Sequence, residues 1–438
     1  MDIQKWKQNN DYKKKYAHFD SRVSLSDVWK YITDPRKITT HAFYPFIHYQ
    51  KHFDKYNKVK GKSPKARELC YSAHIDRCIF QYYGYMINQV YNDRTRNDGT
   101  DSCSIAYRDN MIGKSNIHFA KRAIDFIRQK QNCYIIVGDF TKFFDELDHK
   151  YLKERLGDLL GGRLSDDFYA VYKNITKYSI WELSDLLALN NLEDKPSHIS
   201  ELNCKDRILS TEDFRKNKSQ IKRHPSNFGI PQGSAISAVL SNVYMTAFDK
   251  IVNEYVKSQT GLYMRYSDDF IIILPGDGEV VFSEQLRIVL TEIEKIPRLV
   301  LQPDKTQIFL YNNNNITSCT NTFIPEVANG KNCLDYLGFS FDGNVVSIRD
   351  KTISKYYYRM YRKLNTIVKS KGYTPKGNKI SNRNLYMKYS QKGANVDKGN
   401  FITYVQRCES VFGKNEAVAR STKQHMQKIR KKLKQIER

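Results

Sequence analysis

The spacing of apolar residues changes character along the first third of the chain. Between residues 71 and 90 they recur every three or four positions, which predicts one long amphipathic helix, and helical spacing returns over residues 116–128. At residues 134–137 the pattern becomes a short run, Tyr-Ile-Ile-Val, that is typical of a buried strand ending near Asp139. A further helix is predicted from about Asp145, with Asp145 as its N-cap and an acid three residues later.

Further strand signals lie in the second half of the chain. Residues 262–266 and 270–274 flank the tripeptide Ser-Asp-Asp at residues 267–269, so the pattern predicts a hairpin with both aspartates at its tip. Residues 334–342 and 345–348 predict a second hairpin, and everything beyond Asp350 is predicted to be helical or linking. Strands and long helices are therefore mixed, which indicates an α+β fold.

The positive charge of the chain is concentrated at its C-terminal end. The 438 residues carry a net charge of +25, and residues 350–438 alone hold 23 Lys and Arg against 5 Asp and Glu. This segment also places tyrosines beside its cations, and aromatic residues make up 13% of the whole chain. Aromatic rings next to phosphate-seeking cations favour a folded nucleic-acid-binding protein over a disordered polycation.

Composition excludes several other classes of protein. No apolar run approaches the roughly 18 residues of a membrane-spanning helix, and the first residues do not form a signal-peptide core. We therefore expect a cytoplasmic protein that does not contact membranes. The eight cysteines are scattered, and no pair has the spacing of a zinc site, so we expect reduced, mostly structural thiols.

Three aspartates are candidates for catalysis. Asp139, at the end of its predicted strand, and Asp268 and Asp269, at the predicted hairpin tip, converge if the two strands pair side by side. Carboxylates that close repel one another unless hard divalent cations lie between them, a role that suits Mg²⁺. Two such ions about 3.5–4 Å apart would hold the attacking and leaving oxygens of a phosphoryl transfer. An Asp-Asp hairpin alone is more often only a turn, so the neighbouring motifs decide whether these aspartates are interpreted as catalytic.

Five segments occur in the order of the motifs of one polymerase family. Asp-Phe-Thr-Lys-Phe-Phe-Asp, Gly-Ile-Pro-Gln-Gly, Tyr-Ser-Asp-Asp, the segment around Lys305 and Leu-Asp-Tyr-Leu-Gly-Phe resemble motifs A, B, C, D and E of reverse transcriptases. They lie at residues 139–145, 229–233, 266–269, 301–306 and 334–339. The resemblance covers about residues 66–348, and it implies a right-hand polymerase with fingers, palm and thumb.

The resemblance implies roles for the acidic motifs and for motif D. Asp139, Asp268 and Asp269 would hold two Mg²⁺ ions, with the Phe140 carbonyl as a further ligand. Lys305 would protonate the leaving pyrophosphate and offset developing charge. By itself Lys305 would be an ordinary surface lysine, so its role depends on the motif.

The resemblance also implies residues that select the nucleotide. Phe144 matches the steric gate against a ribose 2′-hydroxyl, which implies a preference for deoxynucleotides; the alternative is a core residue beside Phe143. Gln232 matches a residue that contacts the incoming nucleotide and the template. Gly233 would let the backbone approach the nascent base pair closely.

Residues 106–116 fall where reverse transcriptases place the fingers motif that binds the triphosphate. Arg108 and Lys114 are the candidates, because a guanidinium fork and an ammonium both suit phosphate oxygens. The run Gly113-Lys114-Ser115 resembles part of a P-loop, but Arg108 stands where that motif needs its first glycine. An ATPase is therefore rejected.

Nucleic-acid contacts are expected from motif E and from the basic C-terminal segment. The segment resembles a polymerase thumb, and its last part predicts a basic helix from about residue 415. The candidates are Tyr336, Gly338, Arg359, Arg362, Lys363, Arg430, Lys431 and Lys432. The alternative for the last helix is a solvated basic surface without a bound partner.

These predictions divide the chain into four parts. A break rich in Gly, Ser and Pro at residues 61–65 would separate an N-terminal extension, residues 1–60, from fingers over residues 61–132. The palm would cover residues 133–348, with a fingers insertion at about residues 157–228. A basic helical thumb and tail would follow over residues 349–438.

The lineage is the finest level of the resemblance. The form of the fingers motif and the short tail look most like the defence-associated, unknown-group reverse transcriptases of bacteria. This implies an RNA-directed DNA polymerase that works with dNTPs on a structured non-coding RNA in anti-phage defence and makes a DNA product. A second copy of the chain or a partner protein remains open.

Three other functions compete with this assignment. One is a retron or group II intron-type reverse transcriptase without a defence role. Another is an RNA-dependent RNA polymerase, against which Phe144 argues. The third is an RNA-binding scaffold without catalytic activity. The three intact aspartates argue against it, because a scaffold would not need them.

Overall fold

Helices and strands alternate along most of the chain. The computed structural model describes residues 2–57, 61–374, 376–396 and 399–436. The helices are α1 (Ile3–Asn10), α2 (Leu25–Ile32), α3 (Pro35–Thr39), α4 (His74–Asn97), α5 (Asn116–Lys130), α6 (His149–Leu160), α7 (Asp166–Thr176), α8 (Leu183–Leu189), α9 (Pro196–Leu202), α10 (Thr211–Asn217), α11 (Ser237–Tyr244), α12 (Thr246–Ser258), α13 (Glu279–Glu294), α14 (Thr320–Phe323), α15 (Asp350–Lys369), α16 (Arg383–Tyr389), α17 (Gln391–Ala394), α18 (Phe401–Phe412) and α19 (His425–Leu433). The strands are β1 (Phe46–Asn57), β2 (Gly61–Tyr71), β3 (Asn132–Asp139), β4 (Ser179–Glu182), β5 (Lys222–Arg223), β6 (Leu262–Tyr266), β7 (Asp269–Pro275), β8 (Gln307–Asn312), β9 (Asn315–Ser318), β10 (Leu334–Tyr336), β11 (Phe339–Phe341) and β12 (Val346–Ile348).

The predicted buried strand lies in the middle of a five-stranded antiparallel sheet. The strand order is β6-β7-β3-β8-β9, and β3 pairs with both β7 and β8. Tyr134 and Ile136 belong to the same hydrophobic core as α12 and α13, whereas Ile135 belongs to the core that contains α5. Burial on both faces explains why the middle of β3, residues 133–137, is a continuous apolar run. The predicted α+β fold class is confirmed.

Residues 46–71 form a long antiparallel pair of strands. β1 and β2 pair along their length, and β4 and β5 extend this sheet in the order β2-β1-β4-β5, so the segment 157–228 joins it. The break predicted at residues 61–65 is wrong: Pro64 lies within β2, which is an edge strand and therefore tolerates proline. The domain boundary predicted after residue 60 falls inside this structural unit.

Residues 334–348 form a three-stranded sheet where one hairpin was predicted. The strand order is β10-β11-β12, and a turn at Leu337 and Gly338 splits the predicted first strand. Both residues have positive φ, +45° and +92°. The hydrophobic pattern hides this turn, because Leu337 is itself apolar.

The start of α6 differs from its prediction. The helix begins at His149, and its N-cap is Asp148, whose carboxylate accepts a hydrogen bond from the Tyr151 amide at 2.8 Å. Asp145 lies instead in a short 3-10 turn, Phe143–Asp145. Its carboxylate is therefore available for another partner.

The C-terminal segment is helical, as predicted. α15 buries Ile353, Met360 and Leu364 along one face. The last helix starts later than predicted, because a 3-10 turn occupies Ala417–Thr422 and α19 begins at His425. Within the ranges that the structure describes, no helix has both the length and the apolar character needed to cross a membrane.

Candidate active site

Asp139 and Asp269 lie opposite each other at the ends of two paired strands. The antiparallel register of β3 and β7 pairs Asp139 directly with Asp269. Asp268 immediately precedes β7, so the backbone brings the three aspartates to one edge of the central sheet. The two strands pair side by side, as the sequence predicts.

The turn between β6 and β7 is tied to the strand that carries Asp139. Tyr266 pairs with Asp269, which leaves Ser267 and Asp268 as a two-residue turn. Ser267 has a φ of +62°, in the left-handed region that such tight hairpin turns require. The Phe140 amide donates a hydrogen bond of 3.3 Å to the Asp268 carbonyl. This bond joins motif A to motif C beyond the end of the strand pairing.

The carboxylates repel one another in a partly desolvated environment. Burial raises the pKa of Asp269 to about 6, and the negative charges of Asp268 and Asp139 add to the shift. Burial is also the largest cause that raises the pKa of Asp268. Lys305 offsets part of this charge, because its Nζ donates to Oδ2 of Asp139. The motif D lysine thus contacts the carboxylate cluster directly.

The donors at this edge fit a divalent cation chemically. In the described part of the chain, no group of three or more His, Cys, Asp or Glu side chains is already arranged to hold a metal ion. Carboxylate and carbonyl oxygens are nevertheless the ligands that Mg²⁺ prefers. The pKa values of Asp268 and Asp269 are raised first by burial and then by neighbouring carboxylates, so a bound cation would favour the ionised forms.

Motif B is attached to motif A by a side-chain hydrogen bond. Gln232 Nε2 donates to Oδ1 of Asp145 at 3.0 Å, and the Ile230 amide donates to the Phe144 carbonyl at 2.9 Å. Phe144 is half-buried, and its ring meets that of Phe143 edge to face, with centroids 5.7 Å apart. Phe144 therefore packs against the main hydrophobic core but is only partly buried.

Gly233 is required by a contact within the protein. Its φ is +112°, and a Cβ at this position would lie 2.5 Å from the Cys70 carbonyl oxygen in β2. The Cys70 amide also donates to the Gln232 carbonyl at 2.8 Å. The close backbone approach that glycine permits here is to β2; the predicted approach to a nascent base pair remains a proposal.

The structure contradicts the prediction that Arg108 binds a triphosphate. The side chain is fully buried, and all of its N–H groups donate to protein oxygens between 2.5 and 3.0 Å away. The acceptors belong to Asn92, Thr95, Asp101 and Ser104. A guanidinium with every donor engaged has none left for phosphate, so Arg108 is a structural residue.

Lys114 differs from Arg108 in being exposed. It borders a cavity of about 380 Å³ that Tyr107 and Tyr266 also line. Tyr266 ends β6 and pairs with Asp269, but none of the three aspartates lines this cavity. A phosphate contact by Lys114 remains a proposal.

Tyr336 does not face nucleic acid. Its side chain is 4% exposed within the core that contains β11 and β12, and its hydroxyl has no hydrogen-bond partner. The predicted contact is wrong for this side chain, because β10 alternates and Tyr336 is at an inward position. The neighbouring Gly338 is partly exposed and remains a candidate.

The predicted thumb residues lie on helices that pack together. α15 and α19 share a small core that contains Met360, Leu364 and Ile429, and Lys428 lies 3.9 Å from the ring centroid of Tyr357. Four of the predicted cations are exposed and two are half-buried. The exposed ones are Arg359, Arg362, Arg430 and Lys431, and the half-buried ones are Lys363 and Lys432.

Comparison with known families decides the class of this site. Residues 86–341, more than half of the chain, match the family described as reverse transcriptase (RNA-dependent DNA polymerase). The chain belongs to the reverse transcriptase family. The match contains all five motifs and runs from within α4 to the end of β11. It confirms the resemblance, the right-hand polymerase fold and the class of RNA-directed DNA polymerases.

Solved structures similar to this reverse transcriptase include yeast telomerases. Apo telomerase from Candida tropicalis is 12% identical, with a TM-score of 0.40 over 99% of this chain and 74% of that one. Telomerase from Candida albicans, in complex with a fragment of telomeric RNA, is 14% identical, with a TM-score of 0.40 over 99% and 72%. A truncated Candida tropicalis telomerase has a TM-score of 0.39 at 12% identity, and the alignment spans 79% of this chain and 65% of that protein. These values are too low to support any argument about function. No curated protein matches the chain.

For two residues that contact the motifs of this reverse transcriptase, the sequence did not indicate the structural role. Asp145 resembles a helix cap in the sequence, yet it binds Gln232. Arg265 stands in β6 among apolar and aromatic residues, and it is completely buried. A charged residue inside an otherwise buried strand was the signal that could have identified Arg265.

Proposed function

We propose that the chain is an RNA-directed DNA polymerase that adds dNTPs to a DNA strand by phosphoryl transfer at Asp139, Asp268 and Asp269. The observation that carries this proposal is the register that pairs Asp139 with Asp269 beside the Asp268 turn. Two Mg²⁺ ions held by these carboxylates and the Phe140 carbonyl would supply the positive charge for attack of a 3′-hydroxyl on a triphosphate.

Side chains of the protein would then bind and orient the nucleotide and protonate the leaving pyrophosphate. Lys305, which already bonds Asp139, carries a proton close to the reacting phosphates and would donate it to the departing pyrophosphate. The half-buried ring of Phe144 would exclude a ribose 2′-hydroxyl. Because Gln232 donates its amide N–H to Asp145, its amide oxygen would face the nucleotide and template. Lys114 would contact the triphosphate from the rim of the cavity that Tyr266 also lines.

The template and the biological role are finer parts of the proposal. The net charge of +18 on residues 350–438 supports binding of a structured RNA by the C-terminal helices. The form of the fingers motif supports placement among the defence-associated reverse transcriptases of bacteria, acting in the cytoplasm on a cognate non-coding RNA. Assembly with a second copy or a partner protein stays open within this proposal.

The test separates the polymerase from its rivals. The purified chain is supplied with a primed RNA template, Mg²⁺ and either dNTPs or rNTPs. We expect extension with dNTPs only. Extension with rNTPs alone would identify an RNA-dependent RNA polymerase, and no extension by a folded protein on any primed or co-purified RNA would support a silent RNA-binding scaffold. Sequencing the nucleic acids that co-purify with the chain identifies the template.

A further inference from the structure

A single buried arginine makes direct contact with the turn that carries Asp268. Arg265 lies in β6, and both it and its ionic partner Asp249 in α12 are almost completely excluded from solvent. Arg265 Nη1 donates a hydrogen bond of 2.9 Å to the carbonyl oxygen of Ser267. Ser267 is the residue between Tyr266 and Asp268, so Arg265 holds the backbone of the turn itself.

Every N–H donor of the Arg265 guanidinium is hydrogen-bonded to the surrounding protein. Asp249 accepts from Nε at 2.8 Å and from Nη2 at 2.6 Å, which is a bidentate arrangement. Ser104 Oγ and Asn242 Oδ1 accept the weaker remaining bonds at 3.2 and 3.3 Å. Asp249 also accepts from the Tyr263 hydroxyl at 2.7 Å. The orientation of Arg265 is therefore set by groups from α11, α12 and the loop before α5.

The turn needs such a contact, because its conformation is unfavourable. Ser267 has a φ of +62° and is not glycine, and a residue of this kind is sterically disfavoured in the left-handed region. Two consecutive carbonyls of the turn each accept a hydrogen bond from outside the turn. Arg265 binds the Ser267 carbonyl, and the Phe140 amide binds the Asp268 carbonyl. Together they fix the peptide planes on both sides of Asp268.

Stability alone does not account for this ion pair. Removing two charges from water is energetically costly, and a buried pair is often no more stabilising than apolar side chains of similar volume. The β6 strand is otherwise apolar or aromatic around Arg265, so an apolar residue would fit the surrounding pattern. What an apolar residue cannot provide is a donor for the Ser267 carbonyl.

We propose that Arg265 is a positioning residue for catalysis, anchored by Asp249, that locks the Ser267-Asp268 turn so that Asp268 and Asp269 present their carboxylates in a fixed orientation. Arg265 touches neither substrate nor metal in this account and acts only through the backbone of the turn. The inference rests on the proposed polymerase function, because it assigns the two aspartates to the reacting centre. A misplacement of about 1 Å is enough to cost ~100-fold in rate.

The test compares Arg265→Lys and Arg265→Met with a matched control, Arg77→Lys. Arg77 is also buried and donates to the Val23 carbonyl and to Gln81, but it lies in α4 and does not contact the turn. We expect both Arg265 variants to lower the single-turnover rate by about 100-fold, with the KM for dNTP and the affinity for RNA changed less than about threefold. The Mg²⁺ concentration for half-maximal rate should rise. Arg77→Lys should lower thermal stability without changing these parameters.

Amide hydrogen exchange over residues 266–270 provides a readout that needs neither template nor catalysis. Exchange should accelerate in Arg265→Lys and stay unchanged in Arg77→Lys. If the Arg265 variants do not fold, Asp249→Asn, which keeps an oxygen acceptor but removes the charge, serves in their place and should show the same pattern. A folded variant with a normal rate and normal exchange would overturn the inference. A wild-type chain that extends no primer would instead refute the proposed function, and the exchange result would still decide whether Arg265 holds the turn.

Discussion

The catalytic edge, formed by Asp139, Asp268, Asp269 and Lys305, and the basic unit, formed by residues 350–436, use charge in opposite ways. At the catalytic edge, burial and the neighbouring carboxylates that strand pairing brings together raise the pKa of Asp269 to about 6. In the basic unit, helices pack through an apolar core and leave most of their cations exposed to solvent. The first arrangement costs stability, and the second costs little.

This difference predicts how each region responds to substitution. A carboxylate at the catalytic edge has a unique position, because a shift of one residue in β7 would turn its side chain to the other face of the sheet. An exposed cation of the basic unit is one of many, and each contributes a similar share of the attraction to phosphates. Substitutions should therefore be severe at the catalytic edge and graded in the basic unit.

Removing the charges of motif C should have the largest effect. The double variant Asp268→Asn with Asp269→Asn is expected to reduce dNTP incorporation by ~1,000-fold or more, because the carboxylates act as a unit. RNA affinity, measured by fluorescence anisotropy, should change less than about threefold. Asp277→Asn, at an exposed position just beyond the other end of β7, is the matched control and should retain full activity. Equal loss of RNA binding and activity would mean that the two regions are not separate.

Enlarging the space beside the catalytic edge should weaken sugar selection. Phe144→Ala is expected to reduce discrimination between dNTPs and rNTPs by about 10- to 100-fold, since a ribose 2′-hydroxyl would then fit. Phe144→Tyr, which keeps the ring, should retain most of the discrimination. The ratio of kcat/KM for the two nucleotide classes measures this effect. An unchanged ratio in Phe144→Ala would assign the ring to core packing.

Protons should compete with Mg²⁺ at the catalytic edge but not in the basic unit. As pH falls through about 6, Asp269 gains a proton, so the polymerase rate should drop by about tenfold per pH unit below that value. A higher Mg²⁺ concentration should move this decrease in rate to lower pH. RNA affinity should stay nearly constant between pH 5.5 and 8, because Lys and Arg remain charged. If the pH at which the rate falls did not depend on the Mg²⁺ concentration, a group other than Asp269 would be responsible.

The raised pKa of Asp269 also predicts a stability effect of defined sign. A folded-state pKa of about 6 against an ordinary value of 3.8 means that the folded chain binds this proton more tightly than the unfolded chain. Without metal, the ionised Asp269 therefore destabilises the fold at neutral pH, and this penalty disappears as pH falls below the ordinary value. Asp269→Asn should raise the thermal midpoint at pH 7.5 while abolishing activity. A lower midpoint would contradict the unfavourable burial and charge crowding of the Asp269 carboxylate.

The smallest effect is expected from the exposed cations of α19. Arg430→Gln with Lys431→Gln should weaken RNA binding several-fold and reduce the slope of log affinity against log salt by up to about 2. Arg215→Gln with Lys216→Gln, which removes two exposed cations from α10, is the control of equal charge. An identical loss in both variants would show that only net charge matters. No change in the α19 variant would remove this helix from the RNA-binding surface.

Sequence patterns anticipated the catalytic edge better than its surroundings. The apolar run of β3 and the Ser-Asp-Asp turn each have a local signature, and their pairing follows from antiparallel geometry. The roles of Arg108 and Tyr336 were mispredicted, because a motif match does not report whether a side chain is buried. Burial of Arg108 depends on acceptors up to 16 residues away.

Contacts between distant segments were the least predictable part. Pro64 and its neighbours suggest a break in the chain, yet pairing with β1 keeps them in a strand. The Asp145–Gln232 contact joins motifs A and B, the Arg265–Asp249 contact joins β6 to α12, and no periodicity encodes either. Local sequence patterns therefore identified the candidate catalytic aspartates. Long-range packing determined which side chains hold the surrounding segments in place.

Single-turnover incorporation of one dNTP on a primed RNA template, in wild type and in Asp139→Asn, tests the central claim most directly. Asp139 pairs with Asp269, so the account predicts Mg²⁺-dependent addition of a deoxynucleotide by the wild type. It predicts a rate at least about 1,000-fold lower in Asp139→Asn at unchanged RNA affinity. A folded Asp139→Asn protein that incorporates the nucleotide at the wild-type rate would contradict the claim that these three aspartates form the polymerase centre.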